Sequence, residues 1–296
     1  MFDIKSFYEA KSVEDAVAAL SADPDSEVIS GGTDVLIRVR EGKDAGKGLV
    51  SIHNIPELKG VEMDADGTII IKPATSFSHI TNHPMIQKHL NMLGLAVDQV
   101  GGPQVRNTAT IGGNICNGAT SADSASTMCA LNAVVVLEGP EGVREIPVTE
   151  FYTGPGRTVR KQNEICTAFR IAREDYEGWE GCYIKYGKRK AMEIATLGCA
   201  VRVKLSEDKT VIEDVRLAYG VAAPTPVRCY EAEAALRGKM VRDASIYDLF
   251  AETALSQVNP RTSWRASREF RLQLIKELAR RGLKESILLA GGNIDA

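Results

Sequence analysis

The sequence lacks any long apolar run: nothing in its 296 residues approaches the ~20 consecutive apolar residues of a membrane span. That excludes a helical integral membrane protein. No charge sign dominates either. The formal net charge of −3 argues against nucleic acid or an anionic membrane surface as the main partner. The N-terminus, Met1-Phe2-Asp3-Ile4-Lys5, lacks the basic-then-apolar build of a signal peptide, so the expected location is the cytoplasm. C-x-x-C is absent. Cys116, Cys129, Cys166, Cys182, Cys199 and Cys229 are scattered in a spacing that fits neither a zinc site nor an iron–sulfur cluster, and buried free thiols are expected. His53, His79, His83 and His89 fall in one early region with no metal-ligand company, so no metal is expected in this chain. Also missing are G-x-G-x-x-G and the Gly-Lys-Ser/Thr of a Walker loop, which sets aside two familiar routes to nucleotide binding. No Ser/His/Asp constellation for nucleophilic catalysis stands out.

What is present is ordinary in bulk and specific in two places. Apolar residues make up 44% and charged residues 25% of the chain, the balance of a soluble globular protein, and the length suits two domains. The first specific place is Val28-Ile29-Ser30-Gly31-Gly32-Thr33-Asp34, a short apolar strand running into a glycine turn and then into Val35-Leu36-Ile37. The second is Gln104-Val105-Arg106-Asn107-Thr108-Ala109-Thr110-Ile111-Gly112-Gly113-Asn114-Ile115-Cys116-Asn117, continuing through small residues to Asp123. Glycine takes positive φ at little steric cost and leaves backbone N–H groups unshielded, so each segment reads as a turn able to approach an anion. One Gly-Gly turn alone is as readily a tight connection with no ligand. Two suit a single elongated ligand with more than one phosphate, which we read as FAD. Asp123 could accept from ribose hydroxyls or act as a helix N-cap. Arg106 and Asn107 are expected to brace the loop.

Around these segments the pattern alternates helices and strands. Ser12 caps a helix with Val13, Ala16, Val17 and Leu20 at helical spacing, and residues 27–30 read as a strand. Strands are expected over 49–53, 68–72 and 164–171, with a hairpin over 133–148 and a loop over 151–156. Thr75-Ser76-Phe77, His83-Pro84 and residues 93–100 read as helical. A domain boundary is placed near residue 175, giving domains 1–175 and 176–285 and a polar tail over 286–296. The second domain reads as strands over 182–186, 194–205 and 211–221, then three helices near 230–236, 244–255 and 265–282. Lys185 and Arg189, in the basic stretch Lys185-Tyr186-Gly187-Lys188-Arg189-Lys190, would be useful facing the negative charge of a reduced flavin, whereas Lys188 and Lys190 read as a solvated face.

With these residues in hand, the chain resembles the FAD-binding subunits of the molybdenum hydroxylases, in particular the separate FAD subunits of bacterial xanthine dehydrogenases. The resemblance spans essentially the whole chain. It rests on Ser30-Gly31-Gly32-Thr33-Asp34-Val35-Leu36, on Gln104 through Ser124, on Gly220-Val221-Ala222-Ala223-Pro224-Thr225-Pro226 and on Ser263-Trp264-Arg265-Ala266-Ser267. It implies an α+β architecture: a vanillyl-alcohol-oxidase-type (PCMH-type) FAD-binding fold of two α/β subdomains, followed by a smaller α+β domain with its sheet covered by helices. It implies that Glu27, Val28, Ile29, Ser30, Gly31, Gly32, Thr33 and Asp34, with Thr110, Ile111, Gly112, Gly113 and Asn114, hold the FAD diphosphate through backbone N–H groups. Val100, Asp123, Cys166 and Lys185 contact FAD by the same resemblance, and Arg189 matches a basic residue near the isoalloxazine of eukaryotic relatives. Met192 stands where those relatives have an acid, so acceptor switching by that loop is not carried over.

The function implied is that of an oxidoreductase subunit. A large subunit with molybdopterin cofactor hydroxylates a purine such as hypoxanthine or xanthine, a small [2Fe-2S] subunit passes the electrons on, and FAD in this chain hands them as hydride to NAD+. The expected assembly is a dimer of heterotrimers. Alternatives are the same scaffold in a nicotinate, aldehyde or carbon monoxide dehydrogenase, or a self-contained flavoenzyme, which would need substrate-facing acids and bases that the sequence does not offer.

Overall fold

The computed structural model describes residues 2–294. The expectations for Met1 and for the last two residues of the tail fall outside the described residues. The chain opens with a three-stranded parallel sheet in which Gly48–Ser51 lies between Ser6–Glu9 and Glu27–Ile29. The helix Val13–Ala22 connects the outer two strands. It starts where Ser12 Oγ accepts the Asp15 N–H at 3.2 Å, and it buries Val13, Ala16, Val17 and Leu20 on one face.

A five-stranded antiparallel sheet follows, with Val61–Met63, Ile69–Ile71, Ile165–Ile171, Val134–Gly139 and Gly142–Pro147 side by side in that order. The helices between Ile71 and Val134 fill the space beside it: Phe77–Asn82, Pro84–His89, Asn91–Asp98, Pro103–Thr108, Ile111–Cys116 and Asp123–Ala130. Phe77, Ile80, Ile86, Leu93 and Val97 are fully buried among them, each burial contributing roughly 1.5–3 kcal/mol against exposure.

Two expectations are corrected here. The stretch 103–116 is not an open turn but two short helices. The expected loop over 151–156 is instead the end of the helix Val148–Phe151 and a small hairpin, Tyr152–Gly154 with Arg157–Thr158; Val35–Arg40, for which only an apolar run was noted, is helical.

The third sheet is antiparallel, Trp179–Tyr186, Leu197–Leu205, Ile212–Gly220 and Val227–Arg228. Both of its faces are covered, and the side-chain alternation shows how. Leu197, Cys199, Val201 and Val203, with Val215, Leu217 and Tyr219, point into a core made with the helices Tyr230–Leu236, Ser245–Leu255 and Arg268–Leu289. The intervening residues Gly198, Ala200, Ala218 and Gly220 are small, so the wholly buried helix Asp123–Ala130 lies directly against the other face. Arg202 and Arg216 share that face and close its far end. Arg216 donates to Asp175 Oδ1 at 2.7 Å, and the indole of Trp179 stacks within 4.1 Å of the Arg216 guanidinium and 5.5 Å of that of Arg202.

The expected helix end at Gly282 is also corrected. The last helix runs to Leu289, and Ser286 and Ile287 are fully buried, so the helix and the core continue past the expected tail boundary, although Leu288 and Leu289 are exposed. Gly282 marks a close approach in mid-helix: a Cβ there would sit 2.6 Å from Val201 Cγ2. No helix among the described residues is long and apolar enough to cross a membrane.

Candidate cofactor site

The two glycine segments, forty residues of helix and strand apart on each side of Pro73, meet across one cavity of about 890 Å³. Its walls include Glu27, Val28, Ser30, Gly31, Gly32, Thr33 and Asp34 from the first segment and Thr110, Gly112, Gly113 and Asn114 from the second. Val100, Asp123 and Cys166 also line it. Ile29 and Ile111 do not: they are core residues, 7% and 0% exposed, that hold their neighbours in place.

The two segments offer different chemistry. Gly32 has φ +72, the left-handed region, and among the described residues no hydrogen-bond acceptor meets the N–H groups of Gly31, Gly32, Thr33 and Asp34. The Ser30 hydroxyl is likewise buried without a partner. Buried donors left unmet are costly, so this edge fits an anionic, oxygen-rich ligand such as a diphosphate.

At the second segment the donors are already engaged. The N–H groups of Ile111, Gly112 and Asn114 donate to Thr75 O, Pro73 O and Thr110 O at 3.1, 2.8 and 3.0 Å, and that of Gly113 donates to Thr110 Oγ1 at 3.1 Å. Neither Gly112 nor Gly113 has positive φ. The expectation of backbone donors at both turns therefore holds its geometry only at the first. Gly112 is required because a Cβ would lie 2.5 Å from Pro73 Cβ and 2.8 Å from Pro73 O. Gly113 would meet only Thr110 Oγ1, at 3.1 Å, and presents bare backbone to the cavity. Asn114 accepts from Ser124 Oγ at 2.6 Å and directs its amide nitrogen at no acceptor among the described residues.

Arg38, which sequence reasoning passed over, ties the two halves together. It donates through Nε to Asp44 Oδ2 at 2.5 Å and through Nη1 to Asn117 Oδ1 at 2.9 Å. Arg106 and Asn107 brace the second segment: Arg106 pairs with Asp98 at 3.1 Å, and Asn107 accepts from Ser78 at 2.6 Å.

The C-terminal sheet does not line the cavity itself and reaches it only through contacts to Asp123; Lys185, expected to contact FAD, lines a neighbouring pocket instead. Asp123 is the first residue of its helix, not its N-cap, and its carboxylate accepts from Tyr183 OH at 2.6 Å and from Lys185 Nζ at 2.8 Å. Lys185 also donates to Gln99 O at 2.9 Å. Burial pushes the Asp123 carboxyl above its ordinary value, and the Lys185 and Tyr183 contacts act against that without reversing it. Tyr183 was missed, although its place two residues before Lys185 on one strand puts both on the same face. Arg189 lies outside the cavity, two-thirds exposed, held by Glu193 at 3.0 Å and by Met192 O at 2.6 Å. Met192, Glu193 and Ile194 of the same loop reach the cavity rim. Among the described residues no three metal-binding side chains come together.

The chain matches the family model for the FAD binding domain in molybdopterin dehydrogenase over residues 2–173, and that for the CO dehydrogenase flavoprotein C-terminal domain over residues 182–286. It is 40% identical over 294 residues to the xanthine dehydrogenase FAD-binding subunit of Escherichia coli O157:H7, covering 99% of this chain and 100% of that one. To the nicotinate dehydrogenase FAD-subunit of Eubacterium barkeri it is 33% identical, over 78% of this chain and 79% of the other. Among solved structures it is similar to a chain of carbon monoxide dehydrogenase from Hydrogenophaga pseudoflava, with a TM-score of 0.91, 29% identity, and coverage of 98% and 99%.

Proposed function

Because the chain belongs to the FAD-binding subunits of the molybdenum hydroxylases, we propose that it is the FAD subunit of a xanthine dehydrogenase. In this reading it takes electrons from a [2Fe-2S] subunit and passes them as hydride to NAD+, while a molybdenum subunit hydroxylates a purine. FAD, when bound, supplies the junction between one-electron carriers and a two-electron acceptor. The protein's own task is to hold, shield and bias that group. The observation that carries the reading is the cavity edge at Gly31–Asp34, whose unmet N–H groups suit a dinucleotide's diphosphate, in a chain that aligns end to end with a xanthine dehydrogenase FAD subunit.

In this proposal residues 30–34 anchor the diphosphate, with Gly113 and Asn114 closing on it from the opposite wall. Glu27, Val28, Thr110, Val100 and Cys166 shape the cavity, Ile29 and Ile111 support from behind, and Asp123 orients the polar chain between the phosphates and the ring. Lys185, fixed by Asp123 and Gln99, places a buried positive charge at the ring end, where it favours negative charge on a reduced ring. Arg189, two-thirds exposed and so screened by solvent, contributes less. The chain divides into an FAD-binding domain to residue 175 and a C-terminal domain beyond it. Assembly with the two partner subunits as a dimer of heterotrimers, in the cytoplasm, belongs to the same proposal. The 33% identity to a nicotinate dehydrogenase subunit supports a second reading in which the partner molybdenum subunit takes another heterocycle.

The test is a visible spectrum of the complex purified through a tag on this chain, followed by purine and NAD+ in the same cuvette. Flavin bands near ~450 nm with iron–sulfur absorbance, then NADH formed on adding xanthine, are expected. Flavin and iron–sulfur signals that bleach with nicotinate but not with xanthine would move the second reading forward. A chain that purifies without flavin and takes up none from added FAD would overturn both.

A further inference from the structure

Two of the chain's six cysteines reach the cofactor cavity, Cys116 and Cys166. They arrive from different elements. Cys116 ends the short helix Ile111–Cys116, whose first turn carries Gly112 and Gly113, and Cys166 lies near the start of the strand Ile165–Ile171. The pairing of that strand slips between Cys166 and Ala168, a bulge of the kind that re-aims a side chain. The Cys166 thiol donates to Ala168 O at 3.8 Å, and the thiols of Cys116 and Cys166 are in hydrogen-bond contact with each other. Arg160, which lines the same cavity, places its charge near both. Cys116 also stands apart in exposure: it is half-buried, while the other five cysteines are buried. Burial pushes the thiols of Cys129 and Cys182 up to about 12 and those of Cys166, Cys199 and Cys229 upward too, which makes them unreactive as free thiols. At Cys116 the contact with Cys166, helped by the Arg160 charge, outweighs burial and brings the thiol down.

We propose that Cys116 and Cys166 form a paired oxidation site for hydroperoxides, one that closes to a disulfide when the cavity is empty of cofactor and is protected when cofactor fills it. The site goes beyond the proposed function and rests on it only for FAD as the group that fills the cavity. The Cys116 thiolate attacks one oxygen of the peroxide. The O–O bond breaks, an alcohol or water leaves after taking up a proton, and Cys116 becomes a sulfenic acid. The Cys166 sulfur then bonds to the Cys116 sulfur as the S–O bond breaks, and the hydroxyl leaves with the Cys166 proton as water. Together the two sulfurs give up the two electrons that reduce the peroxide. Closing two touching sulfurs to the about 2 Å of a disulfide draws the end of the helix toward the bulge. Gly113 and Asn114 move with that helix, as does Asn117, which accepts from Arg38 at 2.9 Å. The oxidised wall therefore fits FAD less well, and by linkage FAD bound to the reduced wall disfavours oxidation by the same factor.

The test uses the full chain in its purified complex, once with flavin and once stripped of it. Both samples are treated with hydrogen peroxide, and the state of Cys116 and Cys166 is mapped by alkylation and mass spectrometry. In the stripped sample a Cys116–Cys166 bond is expected to form and FAD affinity to fall about ten-fold or more, both reversed by dithiothreitol. In the flavin-loaded sample both thiols should stay reduced. Cys116→Ser and Cys166→Ser, each compared with itself before and after peroxide, should show no loss of FAD affinity on oxidation. A wild-type chain that binds FAD but forms no such bond overturns the site. So does a bond that forms equally fast with flavin in place, or one that leaves FAD affinity unchanged. A stripped chain that takes up no FAD before any peroxide is added removes the cofactor reading, and the protected site with it.

Discussion

The two glycine segments look alike in sequence and do opposite things. At Ser30–Asp34 the glycines bend the chain so that successive N–H groups are left without acceptors at the cavity edge. At Thr110–Asn114 they sit in the first turn of a short helix with the N–H groups of residues 111–114 engaged, and their value is the absence of a side chain. One segment supplies donors and the other supplies room. Glycine enables both, through free φ in the first case and missing volume in the second.

The sharpest way to break the comparison is to add one methyl group at each glycine. At Gly31 a Cβ would lie 2.0 Å from Thr108 O, and at Gly112 it would meet Pro73 atoms at 2.5 and 2.8 Å. Backbone cannot yield there, so Gly31→Ala and Gly112→Ala should each destabilise by on the order of 5 kcal/mol and give little folded, flavin-bearing chain. Gly113→Ala meets only Thr110 Oγ1 and should keep its melting temperature while losing FAD affinity. A Gly113→Ala protein with full flavin content would show that the second wall does not face the ligand.

Next comes the ion pair behind the cavity-lining Asp123, whose side chain and that of Lys185 are 6% and 8% exposed. Removing one partner leaves the other charge buried, so Lys185→Ala should cost about 3–5 kcal/mol in chemical denaturation and slow NAD+ reduction. Unchanged stability together with an unchanged flavin potential would remove Lys185 from both roles.

Acid should weaken the walls between these ends. Burial pushes the carboxyls of Asp44 and Glu164 upward, but hydrogen bonds to Asp44 from Arg38 and Lys47, and to Glu164 from Arg144 and the Lys161 N–H, more than offset it. Both carboxyls therefore sit below their ordinary values of 3.8 and 4.5. A carboxyl lower in the folded than in the unfolded state stabilises the fold above its unfolded value and loses that contribution as pH falls through the folded one. Melting temperature and flavin retention should accordingly be level above that range and fall below it. A profile flat through pH 3 would contradict the pairing.

The smallest effect separates ligand-binding donors from structural ones. Ser30 Oγ is buried with no partner, so Ser30→Ala should leave the flavin-free chain unchanged or about 1 kcal/mol more stable while weakening FAD binding. Thr110 Oγ1 caps a helix, so Thr110→Ala should cost about 1 kcal/mol with or without flavin. Matched thermal melts with and without FAD distinguish the two.

Much of the architecture was legible in the chain. The Ser12 cap, the apolar spacing through Leu20, the hairpin around Gly139–Gly142 and the strands of the last sheet follow from local periodicity and turn chemistry, which neighbours in sequence determine. Both glycine segments, Asp123 and Lys185 could also be singled out, because their residue types are unusual in those settings. What the chain could not show is which partner each group meets. That Gly112 packs on Pro73, that Arg38 bridges to Asn117, that Tyr183 and Lys185 share the Asp123 carboxylate and that Gly282 lets a helix continue against Val201 are contacts between residues about forty to about eighty positions apart. The same holds for Lys188 and Lys190, which read locally as solvated charge and line a pocket only beside Gln99 and Glu193. Local sequence determined which backbone could form and which groups were available. Only tertiary packing decided which N–H groups stayed unmet and which charges stayed unpaired, since a hydrogen bond or ion pair is satisfied by whatever the fold brings within about 3 Å of it.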